Sequence, residues 1–113
     1  MTWSIRLAAA AGNDFDDIVD WTVDQFGAAQ ALAYAKALTV AISELDQGPS
    51  QSGVKQRPEL GKGVFTLHVG RRGRKGRHFL VCRVVDQRAQ VLEVLRILHD
   101  AMELPRHLPT DED

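Results

Sequence analysis

A row of aspartates beside an apolar stripe, followed by one glycine and an alanine-rich segment, constrains the fold of this chain more than any other feature. The stripe follows the three- and four-residue spacing of one helix face, and its members are Phe15, Ile18, Val19, Thr22 and Phe26. Asn13 or Asp14 is placed to cap this helix, and Gly27 is placed to end it. The pattern predicts an amphipathic helix with an acidic outer side.

The alanine-rich segment predicts a second helix over about residues 28–46, which the sequence GPSQSG at 48–53 brings to an end. Its predicted core-facing positions are Leu32, Ala35, Leu38, Ile42 and Leu45. Because a single glycine separates the two helices, we expect them to form an antiparallel hairpin, and the small alanines allow close packing.

The rest of the chain has the alternation and the apolar runs of strands. Trp3, Ile5 and Leu7 alternate with polar residues and predict an N-terminal strand over residues 3–7. After a polar loop over about 47–63, three further strands are predicted, at 64–69, 78–85 and 90–98. The order β-α-α-β-β-β predicts a single α+β domain over residues 1–113, with a three-stranded antiparallel meander and a short tail from about residue 100.

Composition narrows the class of protein. A chain of 113 residues is long enough for one core, and its 44% hydrophobic and 26% charged residues are typical of a soluble globular protein. The single cysteine, Cys82, lies in an apolar run and is expected to be buried. No targeting or membrane-spanning segment is recognisable, so we expect a cytoplasmic protein that needs no cofactor and no membrane.

Charge is unevenly distributed along the chain. Residues 47–88 carry ten basic and two acidic side chains, whereas residues 1–46 carry two basic and seven acidic ones. The basic excess is densest in GRRGRKGR at 70–77, which we interpret as a mobile hairpin tip. Its cations, Arg71, Arg72, Arg74, Lys75 and Arg77, could bind an acidic partner or a phosphate backbone, or could simply be solvated.

One stretch near the end resembles a known family. EVLRILHDAMELPRHL at 93–108 is similar to the C-terminal signature of the ParE branch of the RelE/ParE toxin superfamily. DDIVDW at 16–21, QFG at 25–27 and RPELGKGVFTLHV at 57–69 resemble the family in the same order. The turn between Val69 and His78 is longer than is usual in the family.

The resemblance implies a RelE/ParE-like fold, in which a helical hairpin lies across an antiparallel sheet. It also implies a type II toxin that a co-expressed, ParD-like antitoxin holds inactive in a hetero-oligomer. ParE-type members poison DNA gyrase, whereas RelE-type members cut messenger RNA on the ribosome. A family member that has lost toxicity, but still binds an antitoxin or regulates its own DNA, is a third alternative.

Candidate residues differ between these functions. A metal-independent ribonuclease needs an acid or base and cations near the phosphate, for which the candidates are His99, Arg83, Arg77 and Lys62. The scarcity of aromatic residues for base stacking favours the binding function, which needs no catalytic residue. For partner binding, we predict the five cations of 70–77 together with His99, Met102, Glu103, Arg106 and His107.

A metal site is not expected. The four histidines lack paired ligand spacing, and the aspartates at 14, 16, 17 and 20 are explained by solvation near a helix N-terminus.

Overall fold

The computed structural model describes residues 2–101 as two helices packed on one five-stranded sheet. The helices are α1 (Ala9–Phe26) and α2 (Ala28–Ser43). The strands are β1 (Ser4–Leu7), β2 (Val54–Gln56), β3 (Val64–His68), β4 (His78–Asp86) and β5 (Val91–His99). The α+β class and the predicted helical hairpin are therefore confirmed.

The sheet has the order β1-β5-β4-β3-β2, with β4 at its centre. β1 runs parallel to β5, and the other neighbours are antiparallel. The predicted meander is present as β3, β4 and β5. β2 was not predicted, because its three residues lie in a polar segment with no alternation long enough to identify a strand.

The core lies mainly between the helices and one face of the sheet. Leu38 and Leu45 of the hairpin segment pack there with Phe65, Leu80 and Leu92 of the sheet, all five being fully buried. Val81 belongs to a second cluster with Val64 and Leu98. Because residues on both faces of β4 are buried, the continuous apolar run in its sequence is explained. Cys82 is also fully buried, and burial raises the pKa of its thiol.

Helix α1 starts earlier than predicted. It begins at Ala9, and neither Asn13 nor Asp14 caps it. The alanines before them are strong helix formers, and the backbone N–H of Ala8 donates to the carbonyl of Val94 at 3.0 Å, which fixes the chain where the helix begins. Asp14 is therefore inside the helix and free to make a tertiary contact.

That contact joins α1 to β5. The carboxylate of Asp14 accepts hydrogen bonds from Nε and Nη2 of Arg96, at 2.7 and 2.9 Å, and from the backbone N–H of Ile97, at 2.9 Å. β5 has a bulge here, since Val81 pairs with Arg96 while the next residue of β4, Cys82, pairs with Val94. The bulge and the carboxylate together set the position of α1 along β5.

The hairpin is longer than the sheet that supports it. Residues 23–30 are all exposed, and large apolar side chains near the hairpin turn stay in solvent: Trp21, Val23, Phe26 and Leu32. The predictions that Phe26 and Leu32 face the core were therefore wrong, because the helical spacing continues beyond the last strand that could cover it. Gly27 links the helices at φ 90°, a backbone conformation that other residues rarely adopt.

No helix within residues 2–101 combines the length and apolar character needed to cross a bilayer.

We expect Asp14→Ala to lower the free energy of unfolding by about 2 kcal/mol, because it removes three hydrogen bonds at a partly buried site. The matched control is Asp16→Ala on the exposed side of the same helix, which should change stability by less than about 0.5 kcal/mol. Urea unfolding followed by circular dichroism measures both, and equal effects would show that Asp14 does not anchor the helix.

Candidate functional site

A groove of about 620 Å³ opens where the helical hairpin passes beyond the ends of β4 and β5. We call it the hairpin groove. Its helical wall consists of Asp17, Ile18, Trp21, Thr22, Phe26, Gln30 and Tyr34. The opposite wall consists of Lys75, Gly76, Arg77, His78 and His99. Its size is that of a cleft able to take a drug-sized ligand or a few side chains of a partner.

The outer end of the groove is aromatic and exposed. Trp21 and Phe26 retain 58% and 65% of their accessible surface, and their rings meet edge to face with centroids 5.9 Å apart. Exposed aromatic pairs of this kind are uncommon on a monomer surface that has no partner. This end of the groove is therefore suited to apolar contact.

The inner end of the groove is built from polar rings at the strand ends. The hydroxyl of Tyr34 lies 3.1 Å from the backbone N–H of Arg77 and 2.7 Å from Nδ1 of His78. Since the amide can only donate, the hydroxyl accepts from Arg77, and its own hydrogen remains available for Nδ1 of His78. His78 packs in turn against His99, with ring centroids 5.3 Å apart.

Burial keeps His78 neutral. Desolvation, aided by the nearby charge of His99, lowers the pKa of His78 to about 4. A neutral imidazole has one acceptor nitrogen, which is able to take the hydrogen of the Tyr34 hydroxyl, so the hydrogen bond and the lowered pKa are consistent. Burial also favours the neutral form of Tyr34, and therefore raises the pKa of its hydroxyl.

A third histidine, His68, supports this end from outside the groove. Nδ1 of His68 accepts from the backbone N–H of Gly70 at 2.9 Å, so its Nε2 carries the hydrogen that is donated to Asp100 at 3.1 Å. That hydrogen bond lowers the pKa of the Asp100 carboxyl, and Arg77 nearby adds to the effect. The backbone N–H of Asp100 donates to the carbonyl of Arg77 at 2.8 Å. The chain after β5 is thus joined to the basic segment.

The basic segment 70–77, which we call the basic loop, has a defined turn at its centre. Arg72 and Gly73 both have positive φ and form a tight turn, closed by a hydrogen bond from the N–H of Arg74 to the carbonyl of Arg71 at 3.0 Å. A side chain on Gly70 would lie 2.9 Å from the carbonyl oxygen of Gly76. These glycines therefore allow the two arms of the loop to approach each other.

Three of its arginines are held by protein groups. Arg74 and Arg72 both pair with Glu44, and Arg71 donates to Gln51 and to the carbonyl of Ser52. Arg77 differs, since its side chain is 74% exposed and its Nε lies 3.6 Å from Asp100. Of the five predicted cations, only Lys75 and Arg77 line the hairpin groove.

The four candidates for ribonuclease chemistry do not form one cluster. His99 and Arg77 line the groove, and His99 pairs with His78 across the strands. Arg83 lies five residues further along β4, about 17 Å away at the rise of a strand. Lys62 precedes Gly63, whose carbonyl accepts from Val84, so it lies towards that same distant end.

Sequence reasoning missed the aromatic side of the site. Trp21 stands among aspartates in the sequence, and a large apolar residue on an acidic helix face was the available signal. Tyr34 and His78 come from segments 44 residues apart, so only the fold could pair them. The predicted partner-binding residues Met102, Glu103, Arg106 and His107 lie outside the described residues. Within residues 2–101, no group of three or more His, Cys, Asp or Glu side chains could hold a metal ion.

The lowered pKa of His78 predicts a pH dependence of stability. In the unfolded chain His78 should titrate near its ordinary pKa of 6.5, so between pH 6.5 and 4 the unfolded state binds more protons than the folded state. Stability should therefore fall as the pH drops from 6.5 towards 5, above the range in which carboxyls titrate. His78→Gln should flatten this slope in urea unfolding at half-unit pH steps, and an unchanged slope would contradict the assignment.

Comparison with known proteins identifies relatives across most of the chain. The model of the family described as ParE toxin of type II toxin-antitoxin system, parDE, matches residues 5–104. The curated protein Toxin ParE1 of Caulobacter vibrioides is 30% identical over 104 residues, which cover 91% of this chain and 95% of that protein.

Solved structures share the fold. A chain of the chromosomal ParDE TA system from P. aeruginosa superimposes with a TM-score of 0.67 at 25% identity, covering 86% of this chain and 95% of that one. A chain of the RelBE2 toxin-antitoxin complex from Mycobacterium tuberculosis gives a TM-score of 0.60 at 20% identity, covering 88% and 99%. The second likeness is one of fold alone.

The family match over residues 5–104 and the 30% identity to Toxin ParE1 show that this chain belongs to the ParE toxin family of type II toxin-antitoxin systems.

Proposed function

We propose that this toxin acts by binding DNA gyrase, without chemistry of its own, and that a cognate ParD-like antitoxin neutralises it by covering the hairpin groove. The observation that carries the proposal is the groove itself, which combines an exposed aromatic end with two cations at its rim. The solved relative from P. aeruginosa is described as part of a ParDE system, which supports an antitoxin as the partner.

An amphipathic helix fits the shape and chemistry of the groove. From Ile18 to Phe26 the helical wall extends about 12 Å, which is two turns of a partner helix. Apolar side chains of the partner would contact Trp21 and Phe26, and an acidic side chain would reach Lys75 and Arg77. A disordered antitoxin segment that folds on binding could make both kinds of contact.

The C-terminal candidates remain part of the proposal. Met102, Glu103, Arg106 and His107 follow directly after Ala101, and the described chain reaches that residue from the groove-lining His99. We propose that these residues extend the partner-binding surface beyond the groove.

Ribosome-dependent cleavage of messenger RNA is the second candidate. Aromatic residues are scarce in the chain, but Trp21, Phe26 and Tyr34 line one groove with His99 and Arg77. Bases stack on rings of this kind, and the histidine is a possible general acid or base. The distance of Arg83 and Lys62 from this groove favours binding over cleavage.

A pair of assays on the purified chain distinguishes the two candidate functions. We expect inhibition of gyrase supercoiling, and intact messenger RNA in a translation-coupled cleavage assay. His99→Ala should reduce gyrase inhibition only a few-fold, whereas a ribonuclease that uses His99 would lose activity by about 10²-fold. RNA cleavage with unaffected supercoiling would overturn the proposal.

The aromatic end supplies a test of the groove. We expect Trp21→Ala combined with Phe26→Ala to weaken antitoxin binding by about 100-fold, because exposed aromatics that become buried at an interface are typical hot spots. Binding of the antitoxin encoded beside the toxin gene is measured by isothermal titration calorimetry.

The control is Val85→Ala, another exposed apolar residue, which lies at the far end of β4. It should leave the affinity within about twofold. This control and the Trp21→Ala, Phe26→Ala double mutant should both unfold like the wild type, since surface substitutions rarely change stability by more than about 0.5 kcal/mol. Equal losses of affinity in the two proteins would mean that the groove has no special role.

A further inference from the structure

The basic loop is fastened to the side of α2 at two separate points. Near the C-terminal end of α2, Arg74 contacts Glu44. Further back along the helix, the backbone N–H of Arg77 donates to the hydroxyl of Tyr34. Glu44 follows Tyr34 by ten positions along helix and turn, about 15 Å at the rise of a helix. The loop therefore lies along the hairpin as a strap.

Of the two contacts, the one between Arg74 and Glu44 is the stronger. Oε1 of Glu44 accepts from Nη2 of Arg74 at 2.6 Å, and its Oε2 accepts from Nη1 of the same guanidinium at 3.2 Å. Arg72 donates to Oε2 as well, also at 3.2 Å. The side chains of Glu44 and Arg74 retain only 14% and 17% of their accessible surface, and the hydrogen bonds from Arg74 lower the pKa of Glu44. Bidentate pairs of this kind fix geometry as well as charge.

The segment between the two fastenings lines the hairpin groove. Lys75 and Gly76 lie between Arg74 and Arg77, and both face the groove with Arg77. Three residues of extended chain span only about 10 Å, so fixing Arg74 and Arg77 restricts the backbone of Lys75 and Gly76 between them. The contact at Glu44 thus determines where the cations of the groove lie, although Glu44 does not line the groove itself.

We propose that Glu44 is a positioning residue for partner recognition, because it holds the basic loop so that Lys75 and Arg77 face an acidic side chain bound in the hairpin groove. This inference rests on the proposed function, since it concerns the same groove and the antitoxin as its occupant. It also divides the basic loop into two parts. Arg71, Arg72 and Arg74 hold the loop in place, and Lys75 and Arg77 contact the partner.

Without Glu44, the loop would lose its bidentate anchor and three neighbouring arginines would repel one another. The binding-competent arrangement would then be only a fraction of the population, and the apparent dissociation constant would rise by the inverse of that fraction. We expect about a tenfold weaker complex with the antitoxin for Glu44→Gln, which preserves the size of the side chain and removes its charge. Arg74→Gln, which removes the other half of the pair, should have the same effect.

The matched control is Glu59→Gln. Glu59 also forms an ion pair, with Arg57 at 2.8 Å, but this pair has one hydrogen bond and lies on an exposed turn away from the groove. This substitution should leave antitoxin binding within about twofold. The comparison separates the position of Glu44 from the general effect of removing one negative charge from the toxin.

A double-mutant cycle tests whether Glu44 acts through the groove cations. In a chain that already carries Lys75→Gln and Arg77→Gln, Glu44→Gln should cause no further loss of affinity for the antitoxin. A second tenfold loss in that background would overturn the proposal, because Glu44 would then act independently of the two cations.

Amide hydrogen exchange of the free toxin provides a measurement that needs no partner. In Glu44→Gln the amides of Arg74 and Arg77 should exchange faster, while the amide of Val69, just after β3 and bonded to the carbonyl of His78 at 2.9 Å, keeps its protection. Unchanged exchange at Arg74 and Arg77 would overturn the proposal. If the wild-type toxin failed to bind the antitoxin, the proposed function would fail, and exchange would still decide whether Glu44 holds the loop.

Discussion

The contact between Asp14 and the last strand fixes α1, and with it the aromatic wall of the groove, relative to the sheet. One carboxylate accepts from the guanidinium of Arg96 and from the backbone N–H of Ile97, and so fixes α1 against the bulge of β5. Because β5 ends at His99, two residues beyond Ile97, the outer half of α1 has no strand beneath it. The groove forms in the space that this overhang leaves, with Trp21 and Phe26 on its outer wall. A carboxylate that first looked like a helix cap is thus the link between the fold and the site.

Electrostatics then shapes the other wall of the groove. Read from the sequence, GRRGRKGR is a concentration of positive charge in a chain whose net charge is only −1. In the fold much of that charge is used internally, since Glu44 pairs with two of the arginines and a third donates to the loop around Gln51. Neutralising all five cations would consequently disturb the loop as well as any partner contact, contrary to the expectation for a solvated turn. What faces the groove is a pair of cations beside neutral His78, with Asp17 on the helical wall.

The elements with long periodic patterns could be predicted, and the contacts between them could not. The amphipathic stripe of α1, the glycine that ends it and the apolar run of β4 each follow from local rules, and the folded chain has all three. β2 was missed because three residues in a polar segment become a strand only by pairing with β3. Asp14 and Glu44 were missed because a single sequence does not show which arginine lies opposite a carboxylate 82 or 30 residues away. Trp21 could have been noticed, as a tryptophan on an acidic helix face has no reason to be there for solubility.

The central claim is that the antitoxin binds in the hairpin groove, and site-specific photo-crosslinking tests it most directly. Benzoylphenylalanine would replace Phe26 at the outer end of the groove, and in a separate protein Val85 at the far end of β4. Each protein would be irradiated with the purified antitoxin encoded beside the toxin gene. The account predicts an efficient crosslink from position 26 and none above background from position 85. A crosslink from position 85, with none from position 26, would contradict it.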